Sequence, residues 1–166
     1  MNNEFKSAPE LPFKLIDIST DDERFILQFK NFHENQDVHS VRRGGVTGDF
    51  EVIYKCPGTE TKFECALTAG DLYTFYLELD NVSEGFDDTA VLEHSENGSK
   101  LTEIKVTTDK KGHFSVNGLV KNKNNNFKSG FFFEMVMDSI YLHETFSAFE
   151  PFFKELEKIQ GNRNFI

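Results

Sequence analysis

The chain has 166 residues with nineteen Phe, four Tyr and no Trp, and it carries a formal net charge of −10. That length can bury a hydrophobic core without disulfides or metals and predicts a single domain over 1–166, and the aromatic content argues against disorder. The negative balance excludes nonspecific nucleic-acid binding, since phosphates repel it, and no apolar run approaches the roughly 20 residues of a membrane span. Residues 1–10 hold no apolar segment of a secretory signal, so a cytoplasmic protein without membrane association is expected.

Residues 1–10 read as a flexible tail, 11–160 as the β-rich globular part and 161–166 as a second tail. Strands are predicted over 13–18 and 25–31, with the acidic turn Asp21-Asp22-Glu23 between them. The polar stretch 33–43 reads as a loop, after which Gly44, Gly45 and Gly48 punctuate the chain. A hairpin follows, with strands over 49–55 and 60–67 around Cys56-Pro57-Gly58-Thr59. Pro then Gly at the two central positions is type II turn chemistry. The implied register sets Phe50, Val52 and Tyr54 opposite Cys65, Phe63 and Thr61 on one face, with Lys55 facing Glu60 on the other. Thr68, with Asp71 three residues on, forms a capping-box-like helix start. Leu72, Phe75, Tyr76 and Leu79 mark the buried face of a helix expected to end near Asn81.

The second half returns to sheet, with strands predicted over 89–94, 101–108, 113–121 and 129–137. Asp109-Lys110-Lys111-Gly112 reads as a turn closed by a left-handed glycine, which pairs Val106 with Val116 and Ile104 with Gly118. In the last strand Phe131, Phe133, Met135 and Met137 share a face. Phe132 and Val136 lie on the other, which predicts burial on both sides. A C-terminal helix is expected over 139–160, with a core stripe of Leu142, Phe146, Phe149, Phe153 and Leu156. Pro151 should kink it or start a fresh segment, and Gly161 should stop it. The element order predicts an α+β, predominantly antiparallel β fold: a two-sheet sandwich or strongly curved sheet with one mid-chain and one C-terminal helix.

Little of this carries chemistry. Cys56 and Cys65 are too few for a disulfide scaffold or zinc site, and the hairpin register points them at other partners, so both thiols should be free. Asp21-Asp22 and Asp87-Asp88 are adjacent pairs whose side chains would diverge on a strand. His33, Glu34, Asp37 and His39 have no defensible ligand spacing, and His94, His113 and His143 stand alone. No nucleophile motif and no phosphate-binding glycine loop is present. The expectation is no catalytic residue, no metal, no cofactor and no enzymatic activity. Glu134 stands between Phe132 and Val136, either as an exposed carboxylate or as a ligand-pairing one. Charge is segregated: Asp71, Glu78, Asp80, Glu84, Asp87, Asp88, Glu93, Glu96 and Glu103 fall in a stretch whose only base is Lys100. Glu84, Asp87, Asp88, Glu93 and Glu96 are the candidates for an acidic face that steers a basic partner, the other outcome being a solvated face.

The capped helix Thr68-Ala69-Gly70-Asp71-Leu72-Tyr73, the strand over 112–120 with Gly118, the strand over 131–137 and the segment Asp138-Ser139-Ile140-Tyr141-Leu142 together resemble the wall-associated-protein (WapI-type) immunity family of bacterial polymorphic toxin systems. The resemblance covers about residues 60–160. It implies a cytoplasmic immunity protein, monomeric or weakly dimeric, that binds and neutralises the C-terminal toxin domain of a contact-dependent or secreted effector. Many such toxins are nucleases with basic clefts, and an acidic inhibitor surface would compete with phosphate for them. The alternatives are a β-sandwich module binding a small molecule in a Phe-lined pocket near Glu134, or binding another protein, and a hydrolase assembled from distant residues.

Overall fold

The computed structural model describes residues 10–33, 48–84 and 88–160. Strands β1 (Phe13–Ser19), β2 (Arg24–Phe32), β3 (Gly48–Cys56) and β4 (Thr59–Cys65) precede helix α1 (Ala69–Glu84). Strands β5 (Thr89–Glu96), β6 (Ser99–Thr108), β7 (His113–Lys121) and β8 (Gly130–Asp138) follow, then helices α2 (Leu142–Phe146) and α3 (Phe149–Gln160). Each set of four strands makes one antiparallel sheet in sequential order, β1-β2-β3-β4 and β5-β6-β7-β8. The α+β, mostly antiparallel architecture expected from the sequence is the one observed, in its two-sheet form.

Turn chemistry and apolar alternation agree at both hairpins where they were legible. Phe50 pairs with Cys65, Val52 with Phe63, Tyr54 with Thr61 and Lys55 with Glu60, and Gly58 takes the positive φ of 78° that a type II turn requires. Val106 pairs with Val116 and Ile104 with Gly118. The capping box at α1 is reciprocal: the Thr68 amide donates to Asp71 Oδ2 at 2.8 Å and the Asp71 amide to Thr68 Oγ1 at 3.1 Å. Both thiols are free, Cys56 half-buried and Cys65 buried.

The inner faces meet through stacked rings. Phe25 lies on Phe133 with centroids 4.2 Å apart, and Tyr54 on Phe131 at 5.1 Å. The helices add a second aromatic cluster, in which Phe149 touches Phe75 at 5.7 Å and Phe152 reaches Phe13 and Phe29 at 5.6 and 5.3 Å. Both clusters belong to one contiguous core.

Four expectations need correction. The C-terminal helix is broken: a 3-10 turn over Ser139–Tyr141 leads into α2, and α3 restarts at Phe149. Pro151 sits in the first turn of α3, where its missing N–H has no helical acceptor to lose, so it starts a segment instead of kinking one. Helix α1 runs on to Glu84, past Asn81. Strands β5 and β6 extend to a two-residue turn, Asn97 and Gly98 at φ 50° and 76°, which is the left-handed pair a tight hairpin needs. Strand β8 is not buried on both sides, because Phe133 and Met135 are 2% exposed while Phe132 and Val136 are 66% and 59% exposed.

Candidate functional site: the outer face of the second sheet

Side chains of opposite parity on β5–β8 point away from the core, and the register aligns them in rows. Glu93, Glu103, Leu119 and Phe132 form one row; Val91, Lys105, Asn117 and Glu134 form the next; Thr89, Thr107, Ser115 and Val136 form the third. Strands stand about 4.8 Å apart, so about 14 Å separates the acidic border on β5 from the apolar border on β8. Leu119, Phe132 and Val136 give that apolar border its exposed surface. The turn after β8 adds exposed Ile140 and Tyr141. It is held by Asp138 Oδ1, which accepts the Ile140 amide at 3.0 Å, and by the Gly112 carbonyl, which accepts the Ser139 amide at 2.8 Å.

The acidic border is partly neutralised. Lys100 Nζ pairs with Glu93 Oε2 at 3.1 Å and also contacts Glu103, whose Oε1 meets Lys105 Nζ at 3.2 Å. The Lys100 hydrogen bond holds the Glu103 carboxyl below its ordinary range and, reciprocally, raises the lysine. Among the candidates taken from the sequence, Glu93 is exposed in mid-strand and Glu96 exposed at the hairpin end. Asp88 is exposed just before β5, and its carbonyl accepts the Thr108 amide at 3.3 Å. Glu84 is the last residue of α1, and Asp87 lies outside the described residues. Asp88 and Glu96 are eight residues apart on extended chain, hence about 26 Å. The structure therefore strings Asp88, Glu93 and Glu96 along β5 and its start, while Glu84 belongs to α1.

Other acids of the same stretch have structural work. Asp71 caps α1 and its Oδ2 lies 2.8 Å from His94 Nδ1, while His94 Nε2 lies 3.1 Å from Glu96 Oε1. Glu78 Oε2 accepts the Val91 amide at 2.8 Å, tying α1 to the edge of β5. On the other sheet, buried Glu51 accepts from Gln28 at 2.7 Å and pairs with Lys30 at 3.4 Å and Lys62 at 3.3 Å, a satisfied network. Of the loop residues weighed as metal ligands, His33 is described and lies 3.0 Å from Asp49; Glu34, Asp37 and His39 lie outside the described residues. Among the described residues no three His, Cys, Asp or Glu side chains converge to hold a metal, and no helix is long and apolar enough to cross a membrane. Glu134 projects from the outer face, away from the Phe-lined interior, so it does not head an internal pocket.

The residues missed from sequence are Leu119, Phe132, Val136, Ile140 and Tyr141. For Phe132 and Val136 the signal was present in β8, where apolar side chains occupy both parities.

The class these features define is an α+β sandwich that presents one sheet face, acidic along one border and apolar along the other. The chain belongs to the Immunity protein WapI-like family, whose sequence profile matches residues 15–158. No curated protein matches the sequence. Among solved structures the chain is similar to the plant transcriptional regulator PBF-2, with 12% identity and a TM-score of 0.48 over 95% of this chain and 90% of that one. It is also similar to WHY1 from Arabidopsis thaliana, with 11% identity and a TM-score of 0.42 over 95% and 99% of the two chains.

Proposed function

We propose that this immunity protein acts in the cytoplasm as a non-catalytic inhibitor, monomeric or weakly dimeric, that binds the C-terminal toxin domain of its cognate polymorphic toxin. The observation that carries the proposal is the family match over residues 15–158. The structure supports it with an exposed face of the composition that partner contacts use: apolar and aromatic anchors beside charge. The toxin surface it fits is basic, as in a nuclease cleft. Glu84, Asp87, Asp88, Glu93 and Glu96 steer the encounter, while Phe132, Val136 and Leu119 hold the complex.

The test is association kinetics with the toxin domain encoded beside this gene, measured across a salt series. Reversal of Asp88 and Glu96 to Lys should slow association at least about tenfold at low salt and flatten its salt dependence. Melting should be nearly unchanged, because the Asp88 contact to Thr108 is through its backbone carbonyl and the Glu96 contact to His94 is a solvent-exposed pair of little stabilising value. Unaltered kinetics would remove the acidic border from the interface, and no binding by the wild-type chain would refute the inhibitor itself.

A further inference from the structure

Every open sheet has two edges, and an unguarded edge is a template for another strand. Three of the four edges here are guarded. Strand β1 has a register shift between Lys14 and Ile16 and carries a Lys14–Asp17 ion pair at 3.2 Å. On β4 the Glu64 amide donates to Asn124 Oδ1 at 2.9 Å. On β5 the Val91 amide is taken by Glu78, and a register shift follows at His94 and Ser95.

Strand β8 has none of these devices. Its nine residues, Gly130–Asp138, include no Lys, Arg or Pro. They pair with β7 without any register shift. No hydrogen bond from a described residue outside β7 reaches the backbone of positions 131–137. Its outward side chains are Phe132, Glu134 and Val136, and Glu134 makes no ion pair or hydrogen bond with any described residue.

We infer that the outer edge of β8 is a strand-addition site, at which the partner lays a strand against β8 with apolar side chains over Phe132 and Val136 and a basic residue opposite Glu134. The inference rests on the immunity function proposed above and names how the partner is held. A second copy of this chain is a poor occupant. Two-fold antiparallel pairing centred on Glu134 would set two carboxylates directly opposite each other, and each chain brings a net charge of −10. A foreign strand bearing Lys or Arg meets the same carboxylate with the opposite sign. Main-chain bonds along the edge would give affinity, and the three outward side chains would give register.

The experiment is amide hydrogen exchange of the full chain, free and bound to the toxin domain encoded beside its gene, with the complex verified by gel filtration. The β8 amides not bonded to β7 should slow at least tenfold on binding. Glu134→Lys should weaken binding at least tenfold while leaving the melting temperature of the free chain unchanged. A verified complex in which those amides exchange as in the free chain overturns strand addition and leaves the inhibitor proposal standing. Failure to form any complex overturns the inhibitor proposal and this one with it. A free chain that sediments as a dimer with those amides already protected assigns the edge to a second copy, and overturns the foreign strand.

Discussion

Phe132 and Phe133 are neighbours on β8 that the pleat sends in opposite directions, so truncating each should do different things. Phe133 is 2% exposed. Its ring stacks on Phe25 at 4.2 Å with planes 13° apart, and Phe131 lies 5.9 Å away. Burial of a whole aromatic side chain covers about 150–250 Å², which at about 25 cal/mol per Å² corresponds to about 4–6 kcal/mol. That area-based figure is an upper bound, and Phe→Ala substitutions in cores cost about 3–5 kcal/mol. For a chain of this size each kcal/mol moves Tm by about 2–4 °C, so Phe133→Ala should lower it by about 6–20 °C. Phe132 is 66% exposed, and Phe132→Ala should change stability by no more than about 0.5 kcal/mol while weakening toxin binding. Urea and thermal melts followed by circular dichroism measure the first pair of values, and titration with the toxin domain the second. A reversed pattern, with Phe132→Ala the costly substitution and Phe133→Ala the neutral one, would mean that β8 is paired one residue out of the register described, because a one-residue slip exchanges the faces. A Phe133→Ala cost below about 1 kcal/mol would remove that ring from the core.

Three other outcomes are expected. A Cβ at Gly118 would stand 2.6 Å from the Glu103 carbonyl oxygen and 2.8 Å from the Phe133 ring; Gly118→Ala should therefore cost about 1–3 kcal/mol in a urea titration, and a neutral result would show that β6 and β7 can move apart. The Tyr54 hydroxyl donates to Glu23, and that bond, with burial, pushes the phenol up to about 12. Since the folded chain favours the protonated phenol, its contribution is complete below the unfolded pKa of about 10 and is lost as pH rises through the folded value; Tyr54→Phe should remove that part of the alkaline loss of stability, and an unchanged stability profile between about pH 10 and 12 would contradict it. Burial pushes the Cys65 thiol up to about 12 while Cys56 is half-buried, so a thiol-disulfide reagent should modify Cys56 in the native protein and reach Cys65 only on unfolding, an expectation refuted by two fast-reacting native thiols.

What was legible in the sequence was whatever is decided locally. Pro57-Gly58 sets a turn and the turn sets a register; Thr68 and Asp71 satisfy each other's amides; alternation in β3, β4, β6 and β7 names one buried face. What was not legible depends on which surface meets which. The acids of α1 and β5 look equivalent in sequence, yet Glu78 is drawn into an edge-covering bond and Asp71 into a contact with His94 because α1 packs on β5. Lys105 lies beyond that acidic stretch but reaches Glu103. The break at Ser147 and Ala148 was not legible because Phe146 and Phe149, three residues apart, both reach Phe75 and would share a face on one continuous helix as well, so their spacing does not distinguish one helix from two.

Strand β8 shows why apolar residues at both parities are ambiguous. Such a pattern demands two covers, and alternation cannot say whether both lie within the same chain. Here the sandwich supplies one, through Phe25 and Tyr54 over Phe133 and Phe131. The other face has Phe132 and Val136 in water, next to an edge that no described side chain bonds. Left alone, that combination favours aggregation. A net charge of −10 opposes it between copies of this chain. The same charge would attract the basic partner proposed above, so the feature that keeps the free protein apart from itself would also select what covers β8. On this view the nonpolar outer row and the acidic balance are two halves of one specificity device, and removing the charge should reveal the edge. Charge-neutralising substitutions at exposed acids away from the site, such as Asp22→Asn with Glu60→Gln, should leave toxin affinity at high salt unchanged yet raise self-association, measured by sedimentation, in a way that Phe132→Ser reverses. Self-association indifferent to Phe132 would locate the sticky surface elsewhere.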